Sequence, residues 1–357
     1  MKKLIIAMII FAAFGGGWCL GQQKAETFTS HTRRTTPDSQ KEVYPLGFKH
    51  GYVRGFNDGS TSNIARISRA VYDYAIRKGL MPVSAEAHVR TPTPLVLGLD
   101  HIPVVVTDLQ KAQSDFRAMG FAIKPGRFHA DGIRNAHIKF PDGTEIELIT
   151  APKAVDELTA EYRAKMVKGE GPVYFGLYST DPVAVRERLN ALRVRVQDDD
   201  GVFTFSAASP LHPLFLGKRN KAPTDMPEHF AHQNSAVRLS ALWVRDNPEL
   251  RRVLKGLGVQ LTPTGSCGLM GVAQGMRATL PEGDLYLVPS DATNVLAARV
   301  EVRRLSDVEA VLKANGIPLK KDTACDEDAV WVPPSQAHGI WIEFAGPRAP
   351  EQASAIR

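Results

Sequence analysis

The chain has 357 residues, 43% of them hydrophobic and 23% charged, with a formal net charge of +6 and three cysteines. This is ordinary globular composition, long enough for two domains. Lys and Arg are scattered, and their small clusters (Arg186/Arg188, Arg251/Arg252, Arg303/Arg304) fall on predicted helices or their flanks. With no basic stripe interleaved with aromatics, nucleic acid is excluded as a partner.

The first stretch pairs Lys2-Lys3 with the apolar run Leu4–Phe14, the pattern of an export signal. Cys19-Leu20-Gly21 offers small residues for a cut before Gln22, whereas the bulk of Trp18 disfavours a lipoprotein cut at Cys19. The alternative is an uncleaved anchor attaching the protein to the membrane through residues 4–20. Either way the expected location is outside the cytoplasm, in the periplasm or on the outer face of the inner membrane. Residues 22–40 read as a polar tether. A small helical segment follows over 44–80, with Ile64, Ile67, Val71 and Ala75 at helical spacing, and then a Pro/Thr linker over 83–94.

From Leu97 to Thr150 the pattern becomes specific. A β-branched strand carries His101, and Asp108 is placed to cap a helix from Leu109 to Met119, with Leu109, Ala112, Phe116 and Met119 on one face and Gly120 as its stop. Strands are expected at 121–123, 135–140 and, after the Pro141-Asp142-Gly143 turn, at 145–149, giving β-α-β-β-β. The segments Asp100-His101-Ile102 with Asp108-Leu109, Gly132-Ile133-Arg134-Asn135-Ala136-His137-Ile138, and Asp142-Gly143-Thr144-Glu145-Ile146-Glu147-Leu148 together resemble the vicinal oxygen chelate superfamily, in its glyoxalase-like branch. The resemblance implies that His101 and Glu147 are ligands of a divalent metal ion.

The strand–Asp–helix signal recurs at 173–192, 238–257 and 298–315, with closing strands at 213–216, 285–288 and 339–344. The expected fold class is α+β: four βαβββ modules paired into two tandem domains, residues 96–220 and 237–346, ahead of a tail at 347–357. Counting seven back from Asp181, Asp246 and Asp307 reaches Tyr174, Leu239 and Val300 where the first module has His101. Counting four on from Gly283 and Gly339 reaches Leu287 and Glu343 where it has Glu147, and the second module has no corresponding glycine. Only the first module keeps both ends, and the fourth keeps only the Glu.

A metal centre needs further ligands converging on one cleft. The candidates are His212 from the second module, ahead of His137 and then His129. His101 and Glu147 are expected to approach within about 5 Å of each other, so as to share an ion with bonds of roughly 2.0–2.2 Å. Arg134 and Asn135 suit an anionic or carbonyl substrate, and His137 and Tyr174 complete the candidate substrate contacts. Cys267 and Cys325 are free to pair in an oxidising compartment. The resemblance implies a metal-dependent lyase, isomerase or extradiol-type dioxygenase acting on a small oxygen-rich molecule, with Glu147 as ligand and base. The alternative is a metal-free protein that binds or sequesters a small molecule in the same cleft.

Overall fold

The computed structural model describes residues 93–346, except 128, 130, 131, 220, 221, 265–274, 291, 292 and 323–327. The export signal or anchor, the tether and helical segment, the tail, and Cys267 and Cys325 lie outside the described residues. The described residues belong to one compact unit. None of the helices among them is long and apolar enough to cross a membrane.

The four modules follow one another along the chain. The first has strands β1 (Gly98–Leu99) and β2 (His101–Val105), helix α1 (Leu109–Ala118), then β3 (Lys124–Pro125), β4 (Arg134–Lys139) and β5 (Glu145–Thr150). Helix α2 (Glu157–Lys168) connects it to the second: β6 (Gly171–Pro172), β7 (Phe175–Tyr178), α3 (Pro182–Ala191), β8 (Gln197–Asp199), β9 (Val202–Thr204) and β10 (Leu214–Gly217). The third has β11 (Ala236–Arg245), α4 (Pro248–Gly256), β12 (Gln260–Thr264), β13 (Gly275–Leu280) and β14 (Gly283–Val288). The fourth has β15 (Val295–Val302), α5 (Leu305–Ala314), β16 (Lys320–Asp322), β17 (Ala329–Val332) and β18 (Trp341–Ala345).

The helix starts explain why the repeat is visible and where counting along it slips. The Asp108 carboxylate accepts from the Gln110 and Lys111 amides at 2.9 and 3.0 Å, and Asp181 accepts from Ala184 at 3.0 Å. In α4, however, the cap is Asn247, which accepts from Leu250 N at 2.7 Å. In α5 Arg304 takes the cap position with no side-chain hydrogen bond, and Asp307 lies inside the first turn. Asp181→Ala should therefore cost about 1 kcal/mol in chemical denaturation, the usual loss for a cap. Asp307→Ala should leave the midpoint nearly unchanged.

Modules three and four share an eight-stranded sheet, ordered β12-β13-β14-β11-β15-β18-β17-β16, with β11 antiparallel to β15 at its centre. The first two modules form the sheets β3-β4-β5-β2-β6 and β1-β7-β10-β9-β8. The link between these sheets is a pair of interrupted strands, since β1 runs into β2 and β6 into β7. The interruption has a packing cause. Leu99 and Ile102 both enter the main core, and strict alternation cannot put residues three apart on one face. The chain bulges at Asp100-His101 instead. Leu239 and Leu242 repeat the device in the third module, with a register shift between Leu239 and Ala241.

All four module helices pack on the same side of their sheets. Phe116, Leu189, Leu254 and Leu312 join Ile102, Leu177, Leu242 and Ile342 in one core, each apolar side chain contributing roughly 1.5–3 kcal/mol when fully buried. Helix α2 is the exception. Its Leu158 and Tyr162 pack with Val105, Ile133 and Ile149 on the other face of the first sheet, and so wall off one end of that face.

Candidate functional site

The face under α2 is polar, and strand alternation explains its composition. Asn135, His137 and Lys139 on β4 share it with Glu145 and Glu147 on β5, where His137 pairs directly with Glu147. On the far side β5 runs parallel to β2, placing Glu147 beside Pro103 and Glu145 beside His101. The bulge at Asp100-His101 then turns His101 onto the same face. His101 Nε2 lies 3.9 Å from Glu147 Oε2, and His101 Nδ1 lies 3.3 Å from Asp100 Oδ2. Asn135 Nδ2 donates to Glu147 Oε1 at 2.8 Å, and Asn135 Oδ1 accepts from Arg127 N at 3.2 Å, so Glu147 is held from below.

The charges divide into two groups. Glu145 is bonded to His137 and sits 3.4 Å from the buried Lys139, which is itself 3.1 Å from Asp225. Burial works against the Glu145 carboxylate, but His137, Lys139 and His101 together hold it well below the usual range. Burial alone would likewise depress His101, yet Asp100, then Glu147 and Glu145, carry it up to about 9. At neutral pH the site thus presents an imidazolium between two carboxylates, Asp100 and Glu147.

The second module occupies the equivalent positions differently. Glu147 pairs with the residue two beyond His101. Two beyond Tyr174 is Gly176, which pairs with Phe215. Phe215 therefore stands where Glu147 stands, and its ring lies 4.8 Å from that of His101. Gly176 makes room for it, because a Cβ there would come within 2.3 Å of the Phe215 ring. Tyr174 is turned to α2, where its hydroxyl donates to Glu161, and burial together with Glu161 keeps the phenol protonated.

His212 does not join His101 and Glu147. Its Nε2 is 3.0 Å from Glu161 and its Nδ1 is 2.9 Å from the Phe205 carbonyl, so both ring nitrogens are engaged elsewhere. The cause is α2, a helix that lies between the modules and outside their repeat. His137 shares the site's face but is bonded to Glu145. Buried His129 Nε2 has no partner among the described residues. Arg134 is separated from its neighbour Asn135 by alternation and lines a different cleft, at the start of α1. Among the described residues no group of three or more His, Cys, Asp or Glu is arranged to hold a metal ion.

In the second half the same face is aromatic. The bulge between Leu239 and Leu242 puts Ala241 in the place of His101, and Trp243, two residues on, pairs with Tyr286. Val295 and Ala298 both enter the core, which puts Ala297 there in the fourth module, and Arg299 pairs with Glu343. Leu239, Leu287 and Val300, reached by counting, are core residues instead, because the caps and bulges shift the count. Glu343 receives Arg299 Nε at 2.7 Å and Nη2 at 3.0 Å. Trp243 stacks on Tyr286 at 4.7 Å and meets Trp331 edge-on at 5.4 Å, and Trp331 meets Trp341 at 6.3 Å.

The family described as a glyoxalase-like domain matches residues 99–270. Over these residues the chain carries a glyoxalase-like domain, and its fold is that of the vicinal oxygen chelate superfamily. Solved structures similar to this glyoxalase-like protein include a catechol 2,3-dioxygenase at 13% identity and a TM-score of 0.52, covering 72% of this chain and 90% of that one. An extradiol ring-cleaving dioxygenase from B. fuscum aligns at 13% identity and a TM-score of 0.51, over 73% and 74% of the two chains. A xylose isomerase-like TIM barrel/4-hydroxyphenylpyruvate dioxygenase fusion protein aligns at 12% and 0.53, over 79% of this chain and 54% of that one. The glyoxalase-like protein thus spans about half the length of the fusion protein. At such identities the likeness is one of fold. No curated protein matches the sequence.

Proposed function

We propose that this glyoxalase-like protein binds a small oxygen-rich molecule directly on the His101–Glu147 face, by charge-assisted hydrogen bonds and without a resident metal ion. One observation carries the reading. The two second-module positions that would complete a ligand set hold Tyr174, bonded to Glu161, and Phe215, whose ring faces His101. A phenyl ring cannot ligate, and two protein donors fall short of the usual complement for a divalent ion. A hydroxylated ligand suits the donors present, since an imidazolium donates to an oxygen while Glu147 accepts from a hydroxyl.

A second reading, a metal-dependent enzyme of the dioxygenase or glyoxalase type, draws support from the pairing of Asp100 and Glu147 against one imidazole. That carboxylate surplus is one a cation would balance, and His101 and Glu147 would hold it. Metal analysis of the full chain purified without chelators separates the readings. The expected content is far below one ion per chain, alike in wild type and in the His101→Ala/Glu147→Ala double variant. Stoichiometric metal in the wild type that disappears in the double variant would overturn the metal-free reading. A screen of hydroxy acids and polyols by thermal denaturation should then find a ligand whose stabilisation is lost in His101→Ala. At a hundredfold excess over Kd that stabilisation amounts to about 2.7 kcal/mol.

We also propose that the protein is exported, on the strength of Lys2-Lys3 and Leu4–Phe14. A reporter active only outside the cytoplasm, fused after Arg357, should be active; activity of a cytoplasm-only reporter there would refute this.

A further inference from the structure

We infer that the cleft between the start of α1 and helix α2 is a second ligand site, shaped for a small amphiphilic anion: a carboxylate or phosphate on an apolar tail. The cleft has a volume of about 850 Å³. It is separate from the His101–Glu147 face, because Val105, Ile133 and Ile149 pack against Leu158 and Tyr162 of α2 between the two. One wall comes from β4 and β5, with Arg134 and Thr150, and the other from α2, with Arg163, Met166 and Val167.

Its charge is unbalanced. Arg134 pairs with Thr150 through its backbone, and its guanidinium has no hydrogen bond or ion pair among the described residues. Arg163 spends one N–H on the Pro152 carbonyl at 2.5 Å, which fixes the guanidinium at the wall and leaves its other donors open. Among the described residues the one carboxylate lining the cleft is Asp108, and it is engaged in capping α1. Among the described residues, two guanidiniums therefore face a cleft with a single, already engaged anion. The fork geometry of guanidinium matches carboxylate and phosphate oxygens.

Helix α2 supplies the apolar side of the cleft. Val167 is 86% exposed at the rim of the cleft, the most exposed large hydrophobic side chain among the described residues, and Met166 and Leu109 line the cleft beside it. Such a side chain gains by covering an alkyl tail, because both then remove apolar surface from water. A headgroup on Arg134 and Arg163, with its tail along Met166 and Val167, uses both halves.

The test is calorimetric titration of the full chain with decyl phosphate below its micelle concentration, alongside inorganic phosphate and decanol. Decyl phosphate should bind, and Arg134→Gln and Arg163→Gln should each weaken it about tenfold or more, as expected for loss of a charged hydrogen bond. Val167→Asp, at an exposed position that tolerates it, should weaken decyl phosphate and leave the fold intact by circular dichroism. The His101→Ala/Glu147→Ala variant should bind as wild type does, which separates this site from the first. Failure of wild type to bind, or undiminished binding by both arginine variants, overturns the inference. Inorganic phosphate binding as tightly as decyl phosphate overturns the apolar half, and decanol doing so overturns the anionic half.

Discussion

Gly339→Ala is expected to destabilise the protein by about 3–5 kcal/mol, enough to remove much of the stability of an ordinary domain. Gly339 has φ +86, and a Cβ built on it would lie 2.2 Å from the Glu170 carbonyl oxygen and 2.6 Å from its carbon. These are backbone atoms that cannot swing aside. The contact joins the fourth module to the second at a point that is already tightly built. His338, also left-handed at φ 53, places Nδ1 2.6 Å from Glu170 Oε2 and Nε2 2.9 Å from Asp115 Oδ2. Gly316→Ala is the matched control. Its φ is +65, but nothing lies within 4 Å of a Cβ there. It should cost only the left-handed backbone penalty of about 1–2 kcal/mol. Denaturation midpoints for the two variants measure the difference directly, and equal losses would show that the Gly339 contact is slack.

Stability should also fall by about 3 kcal/mol through one histidine as the pH drops from about 6.5 to about 4. His232 lies in the segment joining the two halves. Its Nδ1 accepts from Ala122 N at 3.0 Å, and Nε2–H donates to the Lys139 carbonyl at 3.0 Å. This arrangement uses the neutral ring, and a second proton would confront the Ala122 N–H. Phe121 and Phe140 pack on the imidazole with ring centroids 5.7 and 5.3 Å away. Burial accordingly pushes His232 down to about 4, with the Lys139 carbonyl opposing only in part. Because the folded pKa lies below the unfolded one, the unfolded chain takes up the proton first. Stability is therefore intact above about 6.5 and is lost as the pH falls toward 4. His101, raised to about 9, works in the opposite sense, contributing below about 6.5 and losing its contribution as the pH rises through 9. Comparing wild type with His232→Asn at pH 7, 5 and 4 isolates the His232 share. A variant with the same acid slope as wild type would refute the assignment.

The module order was legible in the sequence because capping chemistry is local. Asp108 and Asp181 announce their helices through hydrogen bonds reaching only two or three residues. The same logic misled where the cap was Asn247 in place of Asp246, or where Asp307 sat inside the helix. Bulges added the rest of the slip, and bulges answer to core packing between distant strands. Helix α2 was in principle readable from Asp156 and Thr159, which cap each other, and from Leu158, Tyr162 and Met166 at fourfold spacing. That helix carries Glu161, the residue that engages both Tyr174 and His212. Phe215 could not have been placed by counting, since no glycine marks its strand, and only the pairing with Gly176 fixes it.

The aromatic face of the second half gives the molecule an optical asymmetry. Of four tryptophans, three are Trp243, Trp331 and Trp341, and the fourth is Trp18, close to the N-terminus. Residues 93–235 contain none. Trp331 is fully shielded and Trp243 is 6% exposed, so their emission should be blue-shifted in the native protein and move to the red when the eight-stranded sheet opens. Fluorescence will follow the second half while circular dichroism follows both. Denaturation curves that coincide by the two methods would mean that the halves unfold together. A ligand on the His101–Glu147 face will leave tryptophan emission nearly silent unless it shifts the other half.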